Sequence, residues 1–593
     1  MTRRSAPLLL LAVSVSLWGQ ASPERYAKDV TTLADPKMQG RGAGTKGLEH
    51  ARDHLQKRFA ALKLQPAGDN GYLQPFTVTT GAKLRGKNKL EATIAGKKQR
   101  LAIERDYIPF SFSATSDVTG PVVFAGYGVS ASDAGYDDYF HFDVKDKIVV
   151  LLRYEPASLT KKAGQRTSHA QLVNKAINAR NHGAKAVVLV NGKLDGKEED
   201  LLPRFGSLAG PENAGIAMVQ VTNSIADGWL KLAGKSLEQV QNQIDTTSSP
   251  QSFALPANVA LEVKVDLERV QAKVSNVVAY LPGESDEYVI LGAHYDHLGF
   301  GNGSSLAPSM IGKVHPGADD NASGTSGLLE LARLLSEQKD RKRGVLFIAF
   351  SGEEIGLLGS AYWVNHPTKS LDKAVAMINM DMIGRIKPDG RIFLGASGSG
   401  SNFKEIIEQV SAKHQLKLET SGAGSGSSDH ISFLAKQIPS LFFFSGLHAD
   451  YHKPSDTAEK IESGQAAKLL NFIADLTQEL ERTQRAQFIR VEEPRPVSGG
   501  SGGGGYGPYF GSVPDMGENA GGVKFADVRK NSPADKAGLK PGDVMTRFGD
   551  KPITNLYDFT FALRQYKIGD TLDVTVLREG KPMTVKVTLE QRK

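Results

Sequence analysis

Four short apolar runs between residues 276 and 482 constrain the fold more than any other feature of this sequence. They cover residues 288–293, 344–350, 374–380 and 440–444, and stretches with helical periodicity separate them. Apolar strands that alternate with helices are typical of a mainly parallel sheet with helices on both faces. We therefore predict an α/β domain of this kind, closed by a helix over residues 469–480.

Ionisable side chains stand directly after these runs. They are His294 and Asp296 after the first run, Glu353 and Glu354 after the second, Asp381 after the third, and His448, Asp450, Tyr451 and His452 in the loop after the fourth. A further loop, residues 317–324, brings Asp319 and Asp320 to the start of a helix. Ligands of open parallel sheets gather at the carboxyl ends of the strands, so we expect these side chains to meet at one edge.

This set of side chains predicts a metal centre. So many carboxylates around two or three histidines would repel one another unless cations were bound among them. The chain contains no cysteine, and zinc takes carboxylate and imidazole ligands where cysteine is absent. Two zinc ions fit better than one, because the set divides into two sites that share a bridging aspartate. Paired metals about 3.5–4 Å apart can hold a hydroxide and polarise a carbonyl together.

The same residues resemble a known family. The motifs are His294-Tyr-Asp296, Gly317-Ala-Asp-Asp-Asn-Ala-Ser-Gly324, Ser351-Gly-Glu-Glu354, Asn379-Met-Asp381 and Tyr451-His-Lys-Pro-Ser-Asp-Thr457. In this order they resemble the M28 family of zinc aminopeptidases. The resemblance implies that His294, Asp320 and Asp381 hold one zinc ion. It implies a second zinc ion on Asp320, Glu354 and His452, so that Asp320 bridges the two.

The resemblance also implies roles for neighbouring side chains. Glu353 would be the general base that takes a proton from the metal-bound water and passes it to the leaving amine. Asp296 would orient His294 through the free nitrogen of its ring. Tyr451 would help to stabilise the oxyanion, and a packed aromatic ring explains it equally well. The peptide bond after the bridging aspartate would be cis, and the loop at 427–430 would line the substrate pocket without a catalytic role.

Two choices of ligand stay open. His448 competes with His452, and the Tyr-His-Lys-Pro-Ser-Asp-Thr context favours His452. Asp319 competes with Asp320, and the register with the Asn-Ala-Ser-Gly run favours Asp320.

The rest of the chain divides into further units. A chain of 593 residues is too long for one hydrophobic core, because single domains seldom exceed about 250 residues. A β-rich segment resembles a protease-associated (PA) domain, which either covers the active-site cleft or is a purely structural insert. The turn Ala537-Gly-Leu-Lys-Pro-Gly-Asp543 resembles the bacterial type of PDZ domain. The predicted units are a signal peptide at 1–21, the N-terminal part of the catalytic domain at 22–117, the PA-like domain at 118–261, the M28-like domain at 262–485, a Gly-rich linker at 486–508 and the PDZ-like domain at 509–593.

The amino end predicts export. Arg3 and Arg4 precede an apolar run at residues 7–18, and Gly19-Gln-Ala21 supplies small residues for cleavage, as in a secretory signal peptide. No later stretch reaches the roughly 20 apolar residues of a membrane span, so we expect a periplasmic or secreted protein. The net charge is +7, but lysines and arginines are interleaved with acids and no basic run carries stacking aromatics. Nucleic-acid binding is therefore not expected.

The predicted function is that of a secreted two-zinc metallopeptidase. A hydroxide that bridges the metals would attack the peptide carbonyl, with Glu353 as the base. A rim rich in carboxylates would bind a free α-ammonium group, which favours an aminopeptidase acting on peptide or protein substrates. The alternatives are a glutaminyl-cyclase-like acyl transferase with a single zinc ion and a non-catalytic binding module on the same fold. The PDZ-like domain would bind a protein carboxyl terminus or an extended strand, and either recruit substrate or gate the active site.

Overall fold

The computed structural model describes residues 19–131, 134–160, 166–193, 200–206, 212–423, 428–491, 508–515 and 521–591. Most of the predicted signal peptide (1–18) and the glycine-rich part of the predicted linker (492–507) lie outside the described residues. The described chain forms three large sheets and one two-stranded pair.

Helices and strands are numbered here in chain order over the described residues. The helices are α1 (Pro23–Leu33), α2 (Lys46–Ala61), α3 (Leu172–Asn181), α4 (Asn223–Lys231), α5 (Leu237–Thr247), α6 (Gly324–Ser336), α7 (Leu358–Asn365), α8 (Phe403–Ser411), α9 (His430–Ala435), α10 (Ser463–Arg482), α11 (Pro533–Lys536) and α12 (Leu556–Arg564). The strands are β1 (Gln65–Pro66), β2 (Leu73–Leu84), β3 (Lys89–Ile94), β4 (Lys97–Arg100), β5 (Tyr107–Pro109), β6 (Ser116–Ala125), β7 (Ser130–Ala131), β8 (Tyr136–Asp137), β9 (Ile148–Leu152), β10 (Ala186–Val190), β11 (Ala217–Val221), β12 (Ser252–Ala254), β13 (Val259–Val265), β14 (Leu267–Leu281), β15 (Tyr288–His294), β16 (Gly344–Phe350), β17 (Ala374–Met380), β18 (Arg391–Gly395), β19 (Lys417–Thr420), β20 (Ser440–Phe444), β21 (Ser512–Pro514), β22 (Val523–Val528), β23 (Val544–Phe548), β24 (Lys551–Pro552), β25 (Thr571–Arg578) and β26 (Lys581–Thr588).

The first sheet forms the centre of the predicted catalytic domain. Its order is β1-β14-β16-β15-β17-β20-β18-β19, and β2 pairs with β14 outside this path. The strands β16, β15, β17 and β20 run parallel to one another, whereas β14 and β18 run antiparallel to β16 and β20. The predicted parallel strands therefore form the middle of a sheet that is mixed as a whole, and the α/β fold class is confirmed.

Burial explains why these apolar runs form the central strands. Every residue of β15, β16 and β17 is buried, which is the pattern expected of strands covered on both faces. The helices α1, α2, α6, α8 and α10 pack on one face of the sheet. The helices α7 and α9 pack on the other face, where Trp363 stacks on Phe433. The site-bearing strand ends are thus held from both sides.

The second sheet forms the PA-like domain and includes strands that precede residue 118. Its order is β4-β3-β13-β6-β9-β10-β11-β5, with β12 paired to β6. Because β3 pairs with β13 and β5 pairs with β11, residues 89–109 belong to this sheet. The sequence analysis placed residues 22–117 with the catalytic domain, whereas these strands pair within the second sheet. Their partners lie more than a hundred residues further along the chain, and such pairing leaves no local pattern in the sequence.

The third sheet forms the PDZ-like domain, which is docked on the rest of the molecule. Its order is β21-β22-β23-β25-β26, with β24 paired to β23. Arg180 Nη2 of α3 lies 2.7 Å from Asp558 Oδ1 of α12, and both side chains are largely buried. Phe561 of α12 packs into a hydrophobic cluster of the PA-like domain. Among the described residues, no helix combines the length and the apolar character needed to cross a membrane.

Candidate metal centre

The ends of neighbouring strands bring the predicted side chains together. His294 is the last residue of β15, and Asp381 follows β17 directly. Glu353 and Glu354 follow the end of β16 within one short turn. Asp320 lies in the loop Ala318–Ser323 that precedes α6, and its own backbone is not helical (φ −105°, ψ 96°). Parallel strands end at the same edge of a sheet, so these side chains converge there.

Asn321 holds the loop that carries Asp320. The peptide bond between Asp320 and Asn321 is cis, as the family resemblance implied. Asn321 Nδ2 donates to the carbonyl oxygen of Met380 (3.0 Å), and its Oδ1 accepts from the backbone N–H of Met382 (3.1 Å). The loop is thereby tied to the end of β17, where Asp381 begins the next segment.

His294, Asp320 and Asp381 form the first candidate metal site. His294 Nε2 lies 3.4 Å from Asp320 Oδ1 and 3.3 Å from Asp381 Oδ1. His294 Nδ1 lies 3.2 Å from the carbonyl oxygen of Asp296, which leaves Nε2 free to bind a cation. All three residues are buried, and their ligand atoms lie within reach of one ion.

Asp320, Glu354 and His452 form the second candidate site. His452 Nε2 lies 3.2 Å from Asp320 Oδ2 and 3.2 Å from Glu354 Oε2. His452 Nδ1 donates to the carbonyl oxygen of Ser304 at 3.0 Å, so its Nε2 carries the lone pair that a cation needs. This Nε2 atom is buried and has no hydrogen-bond partner among the described residues.

The chemistry and spacing of these donors fit zinc. In a tetrahedral site with bonds of about 2.0–2.2 Å, neighbouring ligand atoms lie roughly 3.3–3.6 Å apart. The four distances from His294 Nε2 and His452 Nε2 to their carboxylate partners run from 3.2 to 3.4 Å. Asp320 directs Oδ1 to the first site and Oδ2 to the second, which is the arrangement expected of a bridging ligand.

His297 is a site residue that the sequence analysis missed. Its Nδ1 lies 2.6 Å from Glu354 Oε1 and 3.8 Å from Asp320 Oδ2, and its ring is fully buried. His297 could complete a cation site with these two acids, but the short contact is a hydrogen bond to Glu354 alone. Glu354 thus directs Oε1 to His297 and Oε2 to His452. In the sequence His297 directly follows the quoted His-Tyr-Asp motif, and this spacing does not indicate where the ring points.

Asp296 makes a different contact from the one predicted. Its carboxylate lies 3.8 Å from His294 Nδ1, whereas its own carbonyl oxygen lies closer, at 3.2 Å. The carboxylate instead accepts from the backbone N–H groups of Glu353 (3.1 Å) and Glu354 (3.4 Å). Asp296 therefore positions the turn that carries these two acids, and its backbone orients the ring of His294.

The two alternative ligands pair with each other. His448 Nε2 lies 3.2 Å from Asp319 Oδ2, and Asp319 Oδ1 accepts from the backbone N–H of Gly384 at 2.7 Å. Asp456, quoted above only as part of a motif, accepts from the backbone N–H groups of Asp319 (2.9 Å) and Asp320 (3.1 Å). His448 and Asp319 thus lie outside both ligand groups. Asp456 fixes the backbone of the loop that carries Asp320.

Glu353 lies beside the first site without belonging to either ligand group. Its Oε2 lies 3.9 Å from His294 Nε2, and its side chain is 13% exposed. Burial raises the pKa of this carboxyl well above its usual range; Asp381 and Glu354 push in the same direction, and His294 opposes them. A carboxylate in such surroundings has a high affinity for a proton.

Tyr451 and Asp429 complete the rim of the site. The ring of Tyr451 stacks on His452 with centroids 3.9 Å apart, and burial beside Asp320 and Glu354 raises the pKa of its hydroxyl. Tyr451 therefore stays protonated. Asp429, in the loop predicted to line the substrate pocket, is fully buried, and burial raises its pKa to about 7. The first residue of that loop lies outside the described residues.

Comparison with known families decides the identity of the site-bearing domain. Residues 276–477 match peptidase family M28, residues 118–228 match the PA domain and residues 508–589 match the PDZ domain. The three matches fall in the predicted order and on the three sheets described above.

The chain carries a peptidase family M28 domain.

Several curated relatives of this chain are aminopeptidases by name. Aminopeptidase YwaD of Bacillus subtilis (strain 168) is 28% identical over 352 residues, which are 58% of this chain and 63% of that protein. A probable leucine aminopeptidase of Arthroderma otae is 30% identical over 217 residues, which are 35% of this chain and 58% of that protein. The chain thus spans about three fifths of the length of each of these curated relatives.

Solved structures similar to this chain include two aminopeptidases. An aminopeptidase from Aneurinibacillus sp. strain AM-1 is 23% identical and aligns over 80% of this chain and 97% of its own, with a TM-score of 0.48. BSAP, a zinc aminopeptidase from Bacillus subtilis, is 21% identical and aligns over 79% and 98%, also with a TM-score of 0.48.

Proposed function

We propose that this protein is a two-zinc peptidase that removes residues from the free amino end of its substrate. The observation that carries the proposal is the division of Asp320 between two ligand groups. Its Oδ1 lies 3.4 Å from His294 Nε2, and its Oδ2 lies 3.2 Å from His452 Nε2. A carboxylate placed in this way can bind two cations at once. The M28 domain and the names of its relatives support the same reading.

The chain supplies a full set of ligands for both ions. One zinc ion would be held by His294, Asp320 and Asp381, and the other by Asp320, Glu354 and His452. When bound, the ions supply Lewis acidity, which lowers the pKa of a water molecule and polarises the carbonyl of the substrate.

Glu353 is the residue best placed to move protons. It lies beside the first site, exposes only 13% of its side chain and has a raised pKa. A group with these properties can accept a proton from water near neutral pH and donate it to the leaving amine. Tyr451, which stays protonated against His452, can donate a hydrogen bond at the rim.

The excess of acids favours a substrate that carries a positive end. Asp429, which is buried, and Glu353, whose side chain is 13% exposed, lie near the ligands yet belong to neither ligand group. When either carboxyl is ionised, its charge makes the site attractive to an α-ammonium group, because a negative field in a cleft concentrates cations. This supports cleavage at the free amino end over cleavage within a chain.

The substitution E353Q tests the proposal. We expect turnover of aminoacyl substrates to fall by about 10²–10⁴-fold, because the proton acceptor is lost, while two zinc ions stay bound. E337Q, at an exposed position directly after α6, serves as the matched control and should keep wild-type turnover. Full activity in E353Q would refute the assignment of the base. Equal turnover of amino-acetylated and free peptides would refute the aminopeptidase assignment.

We further propose that the protein works outside the cytoplasm and that its PDZ domain binds an extended peptide. The leader-like residues 1–21 support export. β21 stands at the end of its sheet order, so one of its edges is unpaired among the described residues. An unpaired edge of this kind can accept an added strand. Amino-terminal sequencing of the exported protein would test the first point, since an uncleaved leader would contradict it.

A further inference from the structure

A fully buried arginine lies behind the two candidate zinc sites. Arg41 belongs to a Gly-Arg-Gly segment between α1 and α2, and its side chain has no exposed surface. Its φ angle of 48° lies in the left-handed region, which side chains other than glycine seldom adopt. A Cβ atom on Gly40 would lie 2.3 Å from the carbonyl oxygen of Gly299, and one on Gly42 would lie 2.8 Å from its Cα atom. Positions 40 and 42, on either side of Arg41, therefore have room only for glycine.

The guanidinium of Arg41 donates four hydrogen bonds, all to backbone carbonyl oxygens. The acceptors are Tyr295 (2.8 Å from Nε), Leu33 and Pro316 (2.6 and 2.7 Å from Nη1) and Gly317 (2.8 Å from Nη2). No carboxylate of the described residues forms an ion pair with it. This is unusual, because buried arginines generally lie against an acid.

Three of the four acceptors lie on the segments that carry the ligands, and the fourth, Leu33, is the last residue of α1. Tyr295 stands between His294 and Asp296, at the end of β15. Pro316 and Gly317 lead directly into the turn that carries Asp320. One planar group thus joins the strand end of the first site to the loop of the bridging aspartate. The backbone of the same segment adds a bond, from the N–H of His297 to the Arg41 carbonyl oxygen at 3.2 Å.

The positive charge of Arg41 also interacts with the acids of the site. Burial lowers its pKa to about 10, and Asp320, Asp296, Asp456 and Glu354 oppose this shift. The side chain therefore stays positive at neutral pH. A fixed positive charge at this place offsets part of the repulsion among the converging carboxylates.

We propose that Arg41 is a positioning residue of the zinc centre. It fixes the distance between His294 and Asp320 and supplies permanent positive charge to the acid-rich ligand set. The proposal rests on the two-zinc function proposed above. Because Arg41 touches neither ligand directly, it acts through the backbone that carries them.

Zinc affinity separates this role from a merely structural one. R41Q removes the charge and most donors, and R41K keeps the charge but replaces the planar fork by a point donor. We expect zinc, measured by competition with a chelator, to bind about 10–100-fold more weakly in R41Q, with R41K in between. We also expect the fall in kcat to exceed the change in KM.

Arg341 supplies the matched control. It is buried, donates to the backbone carbonyls of Pro282 and Leu335, and lies before β16 at the opposite end of the sheet from the site. R341Q should lower thermal stability without changing zinc affinity. If R41Q and R41K lose stability as R341Q does but keep wild-type zinc affinity, the proposal is overturned.

Two further outcomes are decisive. If R41Q does not fold, the affinity of R41K decides; if neither variant folds even with zinc present, Arg41 is structural and the proposal fails. If the wild-type protein binds no zinc, the proposed function fails. If the wild type binds zinc and the Arg41 variants bind it with equal affinity, only the role of Arg41 fails.

Discussion

Individual oxygen atoms carry most of the chemistry of this site. Asp320 and Glu354 each direct one carboxylate oxygen to one partner and the other oxygen to a second partner. A carboxylate divided in this way needs both contacts to keep its orientation. A residue that holds the carboxylate oxygen facing away from the metal site therefore affects metal binding without being a ligand.

His297 is such a residue, and its substitution gives a graded prediction. H297F removes the donor to Glu354 Oε1 and keeps a ring of similar size, so we expect zinc in the second site to bind about 10–100-fold more weakly. H297N keeps an N–H group near the position of Nδ1 and should lose less. A chelator titration that resolves two binding steps checks this. Wild-type affinity in H297F would contradict the prediction, and complete loss of one ion in H297N would make His297 a ligand.

The convergence of the candidate ligands could be predicted from the sequence, whereas the residues that support them could not. His294, Asp381 and Glu354 follow apolar runs, and the ends of parallel strands converge wherever such runs occur. His297 contacts an acid 57 positions away, and Arg41 contacts Gly317 across 276 positions. Neither contact leaves a periodic or compositional trace, because it depends on how distant segments are packed.

At the level of elements, the strand pattern predicted the middle of the first sheet but did not indicate the full extent of the second sheet. β15, β16 and β17 are buried throughout, and a continuous apolar run is a clear signal. β3 and β5 are short and take partners far along the chain, so the local pattern does not indicate that they belong to the second sheet. Helix α10, at 463–482, includes the predicted closing helix at 469–480 and extends it at both ends.

The last turn of α10 predicts a pH dependence of stability. Glu481 is buried, and burial raises its pKa to about 7, although Arg341 lies 3.7 Å away and opposes the shift. The folded state thus holds this proton while the unfolded state releases it near the usual value of 4.5. The free energy of unfolding should therefore fall as pH rises from about 4.5 through about 7, by at most about 3 kcal/mol from this group.

The variant E481Q isolates this contribution. Glutamine does not titrate, so the wild-type protein should lose stability relative to E481Q between about pH 5 and about pH 8. Denaturant midpoints of both proteins, measured without zinc at the two pH values, give the difference. Parallel profiles for the two proteins would show that Glu481 does not titrate with folding.

At the level of the whole molecule, the PDZ domain is a docked part of the structure. Arg180 and Asp558 form a buried ion pair between α3 and α12, and Phe561 of α12 packs among PA-domain side chains. Asn365, the last residue of α7, donates to Asp515 beside β21. The domain therefore contacts both other units, and neither contact could be predicted from a sequence that shows only a glycine-rich segment before it.

The substitution F561A tests this docking. Removal of the ring opens a cavity between α12 and α3, so we expect the amide hydrogens of α3 to exchange at least about tenfold faster. The amides of α8, on the far side of the first sheet, serve as the internal control and should not change. Unchanged exchange in α3 would show that the two domains are not held together through Phe561.

The number of zinc ions bound per chain tests the central claim most directly. Metal-free wild-type protein titrated with zinc should bind two ions, and D320N should lose affinity at both sites because Asp320 contributes an oxygen to each. D381N, which alters the first site alone, should keep one ion at wild-type affinity. A single bound ion in the wild type, or two ions at full affinity in D320N, would contradict the bridging role of Asp320.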